Sequence, residues 1–213
     1  MTEPSEVAHV RWIAGGTGAG KTTVTRLLAQ RHHLAVYDGD AAEANYIHRC
    51  DEHRQPHMTA LLRMSPIEPS TGHTAEELFA SMPSRHGETF PFVLEDLQAM
   101  TRQGTVLADD FRTRPADIAP LLTNPEHAVF LLPTSQFRRR QLTERYADPA
   151  RAKANWGNSD HQKALEIRLA RDHYWDQETR TEAADLGLTV IDIDGTTPPT
   201  TIANELTTRF NLT

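Results

Sequence analysis

The octapeptide Gly15-Gly16-Thr17-Gly18-Ala19-Gly20-Lys21-Thr22 constrains this chain more than any other stretch. Glycine at that density weakens regular structure, so something must need the bare backbone. The apolar run Val10–Ala14 precedes it and reads as a strand. "TTVTRLLAQRH" follows and reads as a helix, with Val24, Leu27 and Leu28 on one face. Gly15, Gly20, Lys21 and Thr22 fit the pattern G-x-x-x-x-G-K-[ST]. In such a loop small residues let backbone N–H groups converge on phosphate oxygens, and the helix N-terminus adds partial positive charge. Gly15, Gly16, Thr17, Gly18, Ala19, Gly20, Lys21, Thr22 and Thr23 are therefore the predicted nucleotide-binding residues. Lys21 is expected to be exposed, to meet β- and γ-phosphates, and Thr22 to help hold Mg²⁺. A dinucleotide fingerprint starting at Gly16-x-Gly18 fails, because its last glycine would fall on Lys21.

Four more apolar runs punctuate the chain: Leu34–Asp38, Thr105–Asp109, Ala128–Leu132 and Leu188–Ile193. Continuous apolar strands separated by helical stretches predict an α/β fold, with five parallel strands covered on both faces. The interval from Ala41 to Gly104 carries Pro56, Pro66, Pro69, Pro83 and Pro91, which predicts several short helices. Pro133–Gly187 reads as almost wholly helical, and a last helix is expected after Pro199. The 213 residues suit one domain.

In a parallel sheet all strand C-termini meet one edge, where ligands bind. Asp38 and Asp40 end the second strand there. Either carboxylate could take a proton from an attacking hydroxyl, contact the substrate, or bind Mg²⁺ through water. Asp40 also fits the N-cap of a helix starting at Ala41. Asp109 closes the third strand as a metal-positioning acid would, with Asp110 as the weaker candidate. Arg112 and Arg114 follow on the same edge and could face an anionic acceptor. Beyond the fourth strand lie Arg138, Arg139, Arg140 and Arg145, then Arg168 and Arg171. Arginine's planar fork suits phosphate oxygens. The same residues could instead lace exposed helices, as Arg140 with Glu144 would.

"GGTGAGKTT", "DGD" after the second strand and an arginine-rich helix after the fourth together resemble the nucleoside-monophosphate-kinase-like P-loop kinases. That group includes gluconate, shikimate and adenylylsulfate kinases, chloramphenicol phosphotransferase and zeta-toxin-type kinases. The resemblance spans most of the chain in element order, but only the short motifs are specific. It implies a P-loop NTPase fold with a helical lid over residues 133–172 and a helical acceptor-binding insertion over 41–104. It implies ATP and Mg²⁺ as cofactors and phosphorylation of a small-molecule hydroxyl. It puts the acceptor-contacting acid at Asp40 and brings lid arginines to the transferring phosphoryl group, with Arg145 and Arg171 preferred. It also places the loop after the fifth strand, "DIDGTTPP", beside adenine. "ADDFRTRP" stands where shikimate kinase has a glycine run. Ala41-Ala42-Glu43 stand where adenylylsulfate kinase continues its DGD with asparagine and a nearby arginine. Neither specific activity carries over.

The reading is a kinase with Lys21, Asp40, Arg145 and Arg171 as catalytic residues. Asp38, Asp40, Arg49 and Arg112 are the substrate contacts, and Thr22 and Asp109 the metal ligands. Arg85, His86 and Glu88 are further possible contacts. A nucleoside or nucleotide kinase is one alternative; a non-catalytic P-loop regulatory module is another. Net charge of −7 counts against a nucleic-acid partner. No apolar run approaches the roughly 20 residues of a membrane span. The N-terminus lacks a signal-peptide pattern, and single Cys50 fits a reducing compartment, so a cytoplasmic location is expected. His53 and His57 lack a surrounding HExxH, so no zinc site is expected.

Overall fold

The computed structural model describes residues 3–63 and 72–212. Strands β1 (Val10–Gly15), β2 (Ala35–Asp38), β3 (Val106–Asp109), β4 (Ala128–Pro133) and β5 (Thr189–Ile193) form one sheet in the order β2-β3-β1-β4-β5. Every pairing is parallel. All five strands therefore end on one edge. In register, Asp109 of β3 stands beside both Ile13 of β1 and Asp38 of β2. The expected α/β fold with a parallel sheet is observed.

Nine helices surround the sheet among the described residues. They are α1 (Lys21–His32), α2 (Gly39–Tyr46), α3 (Pro56–Arg63), α4 (Ala75–Ala99), α5 (Pro115–Ile118), α6 (Ser135–Tyr146), α7 (Pro149–Trp156), α8 (His161–Asp185) and α9 (Pro199–Arg209). Side chains alternate between the sheet's faces along each strand. Val10, Trp12, Ala14, Ala128 and Phe130 join one core with Val93 and Leu97 of α4 and Ala183 of α8. Ile13, Leu107, Val129 and Leu131 join the other with Val24 and Leu28 of α1 and Leu206 of α9. Both faces are covered, which is why the strands read as unbroken apolar runs. A third cluster lies apart from the sheet. Leu142, Ala152, Trp156, Ala164, Leu165 and Leu169 pack α6, α7 and the first half of α8 together.

The expectation of several short helices between residues 41 and 104 is corrected in part. Pro83 and Pro91 sit inside α4, a single helix of 25 residues. Each proline removes one i→i−4 bond, at roughly 3 kcal/mol in a helix interior. Packing outweighs that loss: Met82, His86, Thr89, Val93 and Leu97 are all buried along α4. A capping box between Thr74 and Glu77 secures its start. Pro66 and Pro69 lie outside the described residues. A segment drawn over 133–172 ends inside α8, which continues to Asp185. No helix among the described residues is long and apolar enough to cross a membrane.

Candidate functional site

The glycine-rich loop leaves β1 at Gly15 and enters α1 at Lys21. Gly16 N–H donates to Leu131 O of β4 at 2.9 Å, tying the loop to the neighbouring strand. Gly15 has φ +111°, and a Cβ there would lie 2.7 Å from Leu131 N. Gly20 is the N-cap of α1 in the left-handed conformation, φ +83°, with open space around it. It has no side chain to cap the helix. The N–H groups of Lys21, Thr22 and Thr23 therefore lack intrahelical acceptors and present partial positive charge. The two glycines separate steric from conformational cost. Gly15→Ala is expected to destabilise by on the order of 2–4 kcal/mol, through clash and strain together. Gly20→Ala costs about 1–2 kcal/mol, the left-handed strain alone. Urea unfolding measures both, and equal losses would show that the Leu131 approach is not limiting.

Lys21 is buried, 8% exposed, which corrects the expectation that it faces solvent. Its Nζ donates to Gly16 O at 2.9 Å and Gly15 O at 3.2 Å. Burial pushes its pKa below the ordinary lysine value. The carboxylates of Asp109, Asp110, Asp40 and Asp176 oppose that shift. The ammonium thus stays within a field of acids while bracing the loop.

The acidic pair at the end of β2 divides its work differently from the expectation. Asp38, not Asp40, caps α2, accepting from Ala41 N–H at 3.0 Å. Asp40 lies in the first turn of α2 with its side chain 78% exposed, paired with Arg112 at 3.0 Å. Asp109 is buried beside Lys21 and accepts a hydrogen bond from the Thr22 hydroxyl. Burial pushes its pKa up, and Thr22 and Lys21 pull it down. Asp110 is buried and accepts from Thr113 Oγ1 at 2.5 Å and from Arg112 at 3.1 Å. These bonds commit it to the turn after β3.

A cavity of about 640 Å³ opens against the loop, lined by Lys21, Thr22, Thr23 and Asp40. That size lies within the roughly 300–1,000 Å³ usual for small-molecule sites. Arg85 of α4, Arg112 after β3, Arg145 of α6, and Arg168 and Arg171 of α8 also line it. Five guanidinium groups and one ammonium thus face a single lining carboxylate, Asp40, among the described residues. In a chain of net charge −7 this is a local reversal of sign. Four distant stretches of sequence supply the arginines. Arg112 is held by Glu43, Asp110 and Asp40 and lies 4.2 Å from the Phe111 ring centroid.

Arg145, Arg171, Arg112 and Asp40 thus line one cavity. Arg49 does not join them: it pairs with Glu95 and stacks over Phe92 at 4.2 Å. Arg114 is tied to Glu178 and Glu182 of α8, and Arg139 to Glu166. Arg140 stacks on Phe137 rather than reaching Glu144. Gly195, in the loop after β5, packs on Phe137 and Arg140 and does not line this cavity. His86 is buried between the Phe111 and Trp175 rings, away from the lining. Glu88 accepts from the N–H groups of His57 and Met58 at the start of α3.

Sequence reasoning missed Gln141, Asn155, Trp156 and Phe111 in the lining. It also missed the buried pair of Arg138 with Asp176. Arg138 Nε donates to Thr17 O at 3.1 Å, so this pair holds the loop against α6 and α8. Only the i, i+4 spacing of Asp172 and Asp176 hinted at an inward acidic stripe. Burial pushes the Asp176 carboxyl up to about 6, against the pull of Arg138. A folded pKa above the unfolded value of 3.8 adds stability at low pH and loses it as pH rises through about 6. Asp176→Asn cannot ionise. The stability of the wild type relative to this variant is expected to fall between about pH 4 and pH 7, by on the order of 2–3 kcal/mol. Urea titrations of both proteins across that range check it; a constant difference would show that Asp176 is ionised throughout.

No protein-family model matches the chain, and no curated protein matches it.

Proposed function

We propose that this chain is an ATP-dependent phosphotransferase on a P-loop NTPase fold, moving the γ-phosphoryl group to a small-molecule hydroxyl. One observation carries the reading: the cavity that joins the N-terminus of α1, Lys21 and Thr22 to five arginines and Asp40. The arrangement suits a polyanion whose terminal group is to be transferred. Free N–H groups at the start of α1 receive β- and γ-phosphate oxygens. Lys21 moves from the Gly15 and Gly16 carbonyls toward those oxygens, or bridges both. Thr22 and Asp109 would hold Mg²⁺: the hydroxyl already meets the carboxylate, which is the hard-oxygen donor set this ion takes. When bound, the ion would neutralise phosphate charge.

Asp40 accepts the acceptor's hydroxyl proton as its oxygen bonds to the γ-phosphorus. The β–γ bridging bond breaks and ADP leaves with the bridging oxygen. Arg145 and Arg171 stabilise the charge spread over the transferring group. α7 and the adjoining parts of α6 and α8, with their own apolar cluster, form the lid that excludes water.

The test combines ATP calorimetry with an ADP-release screen over sugars, sugar acids, nucleosides, nucleotides and aminocyclitol and amphenicol antibiotics. Acceptor-dependent ADP release supports the reading. Failure to bind ATP overturns it. ATP binding without acceptor-dependent turnover favours a nucleotide-binding regulatory module.

A further inference from the structure

We propose that the acceptor is an organic anion, whose carboxylate or phosphomonoester group is held where Arg85 of α4 and Arg171 of α8 converge. Its role as acceptor rests on the phosphotransferase reading; the anion subsite itself does not.

A second cavity, of about 200 Å³, adjoins the first, and both are lined by Leu61, Leu78, Arg85 and Arg171. Arg85 is half-buried there. Among the described residues its side chain makes one hydrogen bond, from Nε to Ser81 O of its own helix at 3.3 Å. No carboxylate pairs with its guanidinium among the described residues. Instead burial and the positive charge of Arg171 push its pKa down, with distant Glu43 opposing them. Arg171 directs both its bonds to Asp172 Oδ1, at 2.9 and 2.5 Å. Asp172 is shared again with Arg168 at 3.6 Å. Arg168 and Arg171 thus divide one carboxylate, and Arg85 has no share in it. His86 beside them has a pKa pushed well below the ordinary value, by burial and by the charges of Arg85, Arg112 and Arg171.

Glu77, the acid lining the smaller cavity, is engaged by the start of its own helix. It accepts from Thr74 N–H at 2.8 Å and lies 3.6 Å from His73. Arg85, partly removed from water with no carboxylate beside it, faces Arg171, whose one acid is shared with Arg168, and this excess positive charge raises the free energy of the empty site. A ligand anion bridging them recovers that energy, and each fork can meet two of its oxygens. Ala60, Leu61 and Leu78 provide an apolar wall for the carbon skeleton. Lys21 and Asp40 line the same larger cavity, so an acceptor anchored by its anion can present a hydroxyl to the candidate base.

The experiment titrates the full chain, without nucleotide, with matched probes. Gluconate is compared with glucitol, and glucose 6-phosphate with glucose. Each is measured on wild type, Arg85→Gln and Arg85→Lys, and Tm is recorded for all three proteins. At least one anionic probe is expected to bind 10-fold or more tightly than its neutral partner. The pair that discriminates identifies carboxylate or phosphomonoester. Arg85→Gln is expected to lose that preference by at least 10-fold, with Arg85→Lys retaining part of it. Tm should hold or rise in Arg85→Gln, because the variant removes an unpaired charge; a fall beyond about 5 °C would mark Arg85 as structural and overturn the proposal. Equal binding of neutral and anionic probes, no binding of either anion, or an unchanged preference in Arg85→Gln also overturns it. Anion binding that depends on Arg85, in a protein that fails to bind ATP, would sustain the subsite while removing the phosphotransferase reading.

Discussion

Lys21→Ala is expected to lower ATP-dependent turnover by at least on the order of 10²–10³, the range for losing one preorganised charge at a reacting oxyanion. The fold should survive. Among the described residues Lys21 Nζ hydrogen-bonds to the Gly15 and Gly16 carbonyls, and Lys21 itself lines the open cavity, so water can enter the space it leaves. Removing a buried cation whose pKa is held down by desolvation also returns part of the loss. Near-wild-type melting with weak ATP binding is therefore the expected pattern in paired calorimetry and thermal scans. Wild-type affinity with wild-type turnover would remove the phosphate-binding assignment of the loop. Loss of cooperative melting would instead show that the ammonium mainly restrains Asp109, Asp110 and Asp176.

Asp40→Asn is the second large effect. It is expected to lower kcat by something on the order of 10²–10⁴, the usual range for a positioned general base. The loose transition state of phosphoryl transfer favours the low end. The structure makes this a cleaner test than the sequence suggested. Asp38 caps α2, so changing Asp40 leaves the cap intact. Arg112 keeps Glu43 and Asp110 when Asp40 loses its charge. The Asp40 side chain is largely exposed, so the lost ion pair costs little stability. Steady-state rates and Tm on the same preparation separate the roles. Full turnover by Asp40→Asn would move the search for the base to Asp38.

The candidate site was legible where chemistry depends on neighbours in sequence. The loop, Thr22, Asp40 and Asp109 all sit at strand ends, and a parallel sheet brings strand ends to one edge whatever the helices do. The arginines were legible only as a set. Arg49, Arg114 and Arg139 are as cationic as Arg145 or Arg171, yet they pair with acids away from the cavity. Which arginine stays available depends on the rotation and contacts of α4, α6 and α8. Those follow from burial along whole helices and not from any local motif.

The same division runs through the fold. The continuous apolar strands, the glycine turn before α1 and the helix after Pro199 are written in short apolar runs and turn chemistry, and the sequence by itself determined them. Tertiary structure decided the continuity of α4 through Pro83 and Pro91, because burial along its length outweighs two lost backbone bonds. It decided the burial of Lys21, because the loop carbonyls and four surrounding carboxylates attract an ammonium that would otherwise seek water. It decided the pairing of Arg138 with Asp176 across 38 positions, which holds the glycine-rich loop from behind. Hydrogen bonds and charges act through space, and residues far apart in the chain meet only after the helices have packed.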